Sequence, residues 1–346
     1  MAPNRVSKKE ARWSPFRKTQ PSNIHKTLYR LDNGKDTVVA GRGLIATSDI
    51  AKGTQILEDE PLLVIDTTME DESAFFASER ADNSQLVQAA ISLLNGPTRR
   101  MFSNIFGNNN IDKVDRNGWG FENPWVNANH WIVVGKALSR INHSCVPNAV
   151  VSDVCTDADD AGLGRKHGAM RLISTRNIKA GEEILVEYLT DHDFWLASRA
   201  DRRKKLQDGW GFTCQCIACS DKLYRNSDVI FAKTQVLLAR INMPLPQYTT
   251  TSVEAYRNRQ GELQLYINCL MYYGWVDSRL AEAYKKYAQL LKAIGLPSLQ
   301  VDALNAISQG MRIEGWRYSE SDLRKQLSYM WSEYHSDSLF RAVRLV

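Results

Sequence analysis

The residues best suited to chemistry fall in three places. Cys214-x-Cys216-x-x-Cys219 is the first. Three thiols at this spacing can grip one face of a zinc ion, which in structural sites takes four tetrahedral ligands, often all sulfur. The fourth must come from elsewhere: Cys145 is the best candidate, with Cys155 and His192 as alternatives. Cys269, in an apolar helical stretch, reads as core. The second place is Arg140-Ile-Asn-His-Ser-Cys-Val-Pro-Asn148. Each polar group of this string would need a partner if buried. It therefore reads as a loop wedged into a folded domain, between the apolar stretches Trp131 to Val134 and Ala149 to Val151. The third is a pair of glycine turns. Gly41-Arg42-Gly43 can let a backbone approach a ligand closely. No third glycine or helix follows, so it is not a dinucleotide fingerprint. Gly181-Glu-Glu-Ile-Leu-Val-Glu-Tyr188 feeds a strand ending in a phenol that can donate, accept or orient a hydrogen bond.

The elements that must position these residues are legible in outline. Strands are expected on either side of the Gly41–Gly43 turn and at Gln55 to Leu57 and Leu62 to Ile65. Leu44 to Leu57 aligns without gaps to Leu172 to Leu185, with seven of fourteen positions identical. Two copies so far apart cannot stack as a solenoid. They suggest a β-domain built from two similar corners. Between them, Asn83-Ser84 could cap a helix with Leu86, Ala90, Leu93 and Leu94 on its apolar face, stopped by Gly96-Pro97. A second helix over about 98–106 and a loop at Gly107 to Asn110 follow, and Trp119, Phe121, Trp125 and Trp131 read as packing residues. Val150 to Met170 reads as a hairpin with an acidic tip, and Asp201 to Gln207 as a short charged helix leading to the cysteines. Helical periods take over near 228–242, 252–273, 278–294, 299–314 and 320–335, without a clear 34-residue repeat.

With 43% hydrophobic and 24% charged residues, the 346-residue chain has the balance of a soluble globular protein. No apolar run reaches the roughly 20 residues of a membrane helix. The opening residues are basic and lack an apolar core, unlike a secretory signal. Glu10, Pro3, Pro15 and Pro21 argue against a mitochondrial presequence, so the expected setting is intracellular. The total charge is +5. Residues 1–30 carry eight basic residues and one acid, or +7, which leaves −2 for the rest. Such an arm reads first as a solvated, disordered tail, and second as a nuclear address or nucleic-acid contact.

Taken in order, G-R-G, R-I-N-H-S-C-x-P-N, G-E-E-I-x-x-x-Y and W-x-F-x-C-x-C-x-x-C resemble the SET-domain protein lysine methyltransferases. The resemblance is to SMYD-like and fungal SET proteins, but without the cysteines of a MYND finger. It implies an α+β fold: a β-rich SET domain of small curved sheets with a pseudoknot-like loop, a helical SET-I insertion, a zinc-binding post-SET segment and a C-terminal all-α domain. The corresponding division is a basic arm at 1–35, SET parts at 36–66 and 129–195, the insertion at 67–128, the zinc segment at 196–222 and the helical domain at 223–346.

The resemblance also implies roles. Tyr188 is the expected catalytic residue. Arg42, Gly43, Asn142 and His143 would lie at S-adenosylmethionine, with Trp210 and Phe212 walling the cofactor and the lysine channel. Cys145, Cys214, Cys216 and Cys219 would hold structural zinc. The expected reaction is methyl transfer to a lysine ε-amine of a protein, histone tails included, in the nucleus or cytoplasm, with no membrane partner. The contrasting reading is a catalytically silent, zinc-stabilised SET scaffold for protein binding. The presence of Tyr188, Asn142, His143 and the glycine turn weighs against it. Only the neutral amine is nucleophilic, and its free pKa is about 10.4, so a low-dielectric aromatic channel would favour the reactive form.

Overall fold

The computed structural model describes residues 27–37, 41–66, 81–122, 130–153, 170–189, 194–220, 227–247 and 249–294. The basic arm up to residue 26, Trp125, the acidic hairpin tip, Cys155, His192 and the expected helices beyond residue 294 lie outside these, as do the side chains of Phe121 and Trp131.

Among the described residues, ten strands form three small sheets: β1 (Tyr29–Asp32), β2 (Gly43–Ala46), β3 (Gln55–Asp59), β4 (Pro61–Asp66), β5 (Gly118–Glu122), β6 (His130–Gly135), β7 (Asn142–His143), β8 (Ala149–Asp153), β9 (Met170–Ser174) and β10 (Glu183–Val186). The sheet orders are β1-β2-β10-β7, β3-β9-β8 and β4-β6-β5. All ladders are antiparallel except β10 with β7.

The two similar corners face one another. Ile50 and Ile178, at equivalent places in the repeat, exchange backbone hydrogen bonds of 2.8 and 2.9 Å. On one side of this bridge Leu44 pairs with Ile184, and on the other Gln55 pairs with Ile173. The repeat is thus a local twofold, each corner supplying the strand the other lacks. Its apolar positions Leu44, Ile56, Leu172, Ile178 and Ile184 are buried in one core.

The insertion contains α1 (Ala81–Ser92), α2 (Gly96–Ser103) and α3 (Asn110–Asn117), packed with β4 and β6 around Val87, Ile91, Phe102 and Val114. Several sequence expectations shift here. Asn83 and Ser84 lie inside α1, which begins at Ala81, and not at its start. Leu93 is 86% exposed, because α1 ends one residue before it. Gly96-Pro97 opens α2, where a proline lacking its N–H costs nothing. The asparagine run also starts a helix: the Asn109 side chain accepts from the Asp112 N–H at 2.9 Å, a cap contributing about 1 kcal/mol. β5 is a strand within the insertion, and Tyr29–Asp32 is a strand, not part of an unstructured arm.

Beyond β10 the chain forms α4 (Arg199–Trp210), α5 (Ser227–Ile241), α6 (Val253–Tyr272) and α7 (Ser278–Ile294). The last three match the helical periods closely. Cys145, Cys214, Cys216 and Cys219 share a single core with Phe231, Leu263, Tyr273, Trp275 and Leu280, so the cysteine segment and the C-terminal helices are packed together.

Candidate active site and metal centre

The polar loop settles its groups on β10. The Ser144 N–H donates to Val186 O at 2.8 Å, and the Asn148 N–H to Leu185 O at 3.1 Å. The Asn148 side chain, 1% exposed, accepts from the Leu185 N–H at 2.7 Å and donates to Glu183 O at 2.8 Å, acting as a further stretch of strand. The Asn142 amide donates to Arg42 O at 3.0 Å and to Glu183 Oε1 at 2.7 Å. One side-chain amide thereby ties the loop both to the glycine turn and to β10. At Gly43, any Cβ would lie 2.6 Å from Glu183 Oε1 and 3.0 Å from the Asn142 side-chain nitrogen, so the close approach requires glycine.

His143 is fully buried and both ring nitrogens are engaged. Nδ1 accepts the Tyr188 N–H at 3.0 Å. That places the ring proton on Nε2, which faces Cys145 Sγ at 3.4 Å. Burial pushes its pKa down to about 4, so the imidazole is neutral. With its ring committed in this way, His143 has only backbone to offer a cofactor.

The four cysteines come together. The sulfurs of Cys145, Cys214, Cys216 and Cys219 all lie within 4.8 Å of one another, and all four residues are buried. Cys145 Sγ and Cys219 Sγ are 3.7 Å apart. In tetrahedral zinc thiolate, bonds of about 2.3 Å set sulfurs about 3.8 Å apart, so the donor set and its size fit that metal. Hydrogen bonding within the cluster, from Cys145 first, draws the Cys216 thiol down, while Cys145 itself is pushed up. Arg202, fully buried, lies with Nη2 3.9 Å from Cys219 Sγ and its guanidinium 4.4 Å from the Phe231 ring centroid. Arg203 donates to Cys214 O at 3.0 Å and Cys219 O at 2.8 Å. A buried cation and two anchored carbonyls thus prepare the cluster for negative charge.

Tyr188 stands at the seam between the β core and the cysteine–helix core, packing against both. Its ring is half-buried, with centroids 5.2 Å from His143, 5.4 Å from Trp210, 6.4 Å from Phe212 and 6.4 Å from Trp119. Its hydroxyl donates to Ile141 O. Burial, then the Glu183 charge, raises its pKa well above that of a free phenol. Trp210 is anchored by its indole N–H to Arg116 O at 3.2 Å, so the insertion helps build this wall. Sequence context marks Trp119 as a packing residue and gives Glu183 and the Ile141 carbonyl no separate role within their motifs.

Residues 41–189 match the family profile described as the SET domain, so this part of the chain is a SET domain. The SMYD-like and fungal resemblance extends to curated proteins. Histone-lysine N-methyltransferase SET5 of Saccharomyces cerevisiae is 36% identical over 95 residues, covering 27% of this chain and 14% of that protein. N-lysine methyltransferase SMYD2-B of Xenopus laevis is 26% identical, covering 42% and 34% respectively. Histone-lysine N-methyltransferase SMYD3 of Mus musculus is 30% identical, covering 29% and 19%. The matched stretches thus span at most about a third of these relatives' own lengths. Among the described residues, no helix is long and apolar enough to cross a membrane.

Proposed function

We propose that this chain is a protein-lysine N-methyltransferase that takes its methyl group from S-adenosylmethionine. The observation that carries this reading is the setting of Tyr188, whose phenol is held by the Ile141 carbonyl inside walls formed by Trp119, Trp210 and Phe212. Bound S-adenosylmethionine supplies an electrophilic methyl on a sulfonium. Around it, Gly43, free of a Cβ, and the backbone of Arg42, Asn142 and His143 give a close-fitting edge. Relatives named as histone-lysine and N-lysine methyltransferases support a protein substrate, histone or non-histone, met in the nucleus or cytoplasm.

Tyr188 keeps its proton at neutral pH, because burial and Glu183 both disfavour the phenolate. It therefore orients the incoming amine through its free lone pair and does not act as a strong base. The aromatic walls exclude water and favour the neutral amine over ammonium. Positioning supplies most of the rate. Cys145, Cys214, Cys216 and Cys219 would hold zinc, and four thiolates leave it no open position, so its role is structural.

The test is transfer of labelled methyl from S-adenosylmethionine to core histones and, separately, to proteins of a cell extract. Tyr188→Phe is expected to keep the fold and lower transfer by about tenfold or more. Unchanged turnover in that variant would give the amine-holding role to another residue. Cofactor binding with no transfer to either pool would count against the enzyme.

A further inference from the structure

Glu187, directly before Tyr188, takes no part in the reaction just described, yet it is 7% exposed. Its partner comes from far downstream in the sequence. Arg279, in the first turn of α7, donates from Nη2 to Glu187 Oε2 at 2.6 Å. Arg279 is itself fixed: Nε donates to Asp277 Oδ1 at 3.0 Å, and its guanidinium lies 4.5 Å from the Trp195 ring centroid and 5.9 Å from that of Trp275. Those two indoles pack edge to face at 4.5 Å. Two further charges act on Glu187: Asp277, held by the same guanidinium, opposes its ionisation, and Arg202 favours it more weakly. The backbone at 187–188 is therefore gripped twice, by Arg279 through the Glu187 side chain and by His143 Nδ1 through the Tyr188 N–H.

We infer that Arg279 is a positioning residue for the methyl-transfer site: through Glu187 it fixes the backbone that carries Tyr188, making the C-terminal helices part of the active-site frame. This rests on the proposed transfer activity. A carboxylate this buried cannot keep its charge without a cation, so on loss of Arg279 it must take up a proton or turn toward water. Either change frees the peptide from which Tyr188 projects. A shift of about 1 Å in a catalytic group can cost about 100-fold in rate. Aligned like this, a residue about ninety positions downstream acts on the chemistry without touching a reactant.

The experiment compares wild type, Arg279→Met, Arg279→Lys and Glu187→Gln as full chains. Hydrogen exchange of the Tyr188 amide, read by mass spectrometry, needs no turnover. It is expected to accelerate about tenfold in Arg279→Met, with β2 and β3 unchanged and with partial recovery in Arg279→Lys. In the methyl-transfer assay kcat is expected to fall about tenfold, while KM for the protein substrate and calorimetric cofactor affinity stay within about twofold. If Arg279→Met does not fold, Glu187→Gln carries the same comparison. Unaltered exchange at Tyr188 in a folded variant overturns the inference, as does an unaltered kcat. Should the wild type transfer no methyl group, the functional reading fails, and the exchange measurement still decides whether Arg279 positions Tyr188.

Discussion

At the scale of single residues, one carboxylate does several jobs. Glu183 accepts the Asn142 amide, lies against Gly43 and raises the Tyr188 pKa. Adding a methyl group at position 43 would press it between Glu183 Oε1 and Thr37 Cγ2, each 2.6 Å from the Cβ. Glu183 is buried and bonded, so it cannot swing aside without breaking its bond to Asn142. Gly43→Ala is therefore expected to cost about one hydrogen bond, about 1–2 kcal/mol, and to weaken S-adenosylmethionine binding about tenfold by calorimetry. Undiminished affinity would place the cofactor elsewhere. The sequence could show that Gly43, Asn142, His143 and Tyr188 belong to chemistry-bearing motifs. It could not show that the His143 ring serves Cys145 and Tyr188, because that depends on a parallel two-residue pairing between segments over forty positions apart.

At the scale of elements, legibility followed the strength of the local pattern. Helices α5, α6 and α7 carry long 3.6-residue periods and stood where those periods put them. The repeated corner announced β2, β3, β9 and β10 by internal similarity. β5 was hidden because Gly118-Trp-Gly120 lacks the β-branched residues that mark a strand, and its pairing with β6 is what forms it. The cysteine segment shows the same division. Its spacing pointed to a candidate metal site, but the supporting arginines of α4 look like an ordinary charged helix until Arg202 is seen beside Cys219 and Arg203 on the carbonyls of Cys214 and Cys219. This element is expected to hold about one zinc per chain. Cys145→Ser should lower the content measured by metal analysis and loosen α4 from the polar loop. Full occupancy in that variant would move the fourth ligand to a residue outside the cluster of four.

At the scale of the whole molecule, Tyr188 owes its place to the meeting of two cores, one made by the SET strands and one by the cysteine segment with the C-terminal helices. One join between them involves no side chain. Gly274, after α6, has φ of +77° and lies so close to the polar loop that a Cβ there would sit 2.3 Å from Pro147 O. Gly274→Ala thus combines a left-handed strain of about 1–2 kcal/mol with a backbone collision that no rotamer can relieve. Gly181, with φ of +81° and no atom within 4 Å of its Cβ position, provides the control, since alanine there meets the strain alone. Thermal unfolding of both variants separates the two effects. Gly181→Ala is expected to lose about 1 kcal/mol, and Gly274→Ala about 3 kcal/mol or more, with faster proteolysis between the SET strands and α5. Equal losses would mean that the two cores can part at Pro147 without cost. In that case the placement of Tyr188 would depend on the SET strands and the cysteine cluster, and the C-terminal helices would act on it only through Arg279.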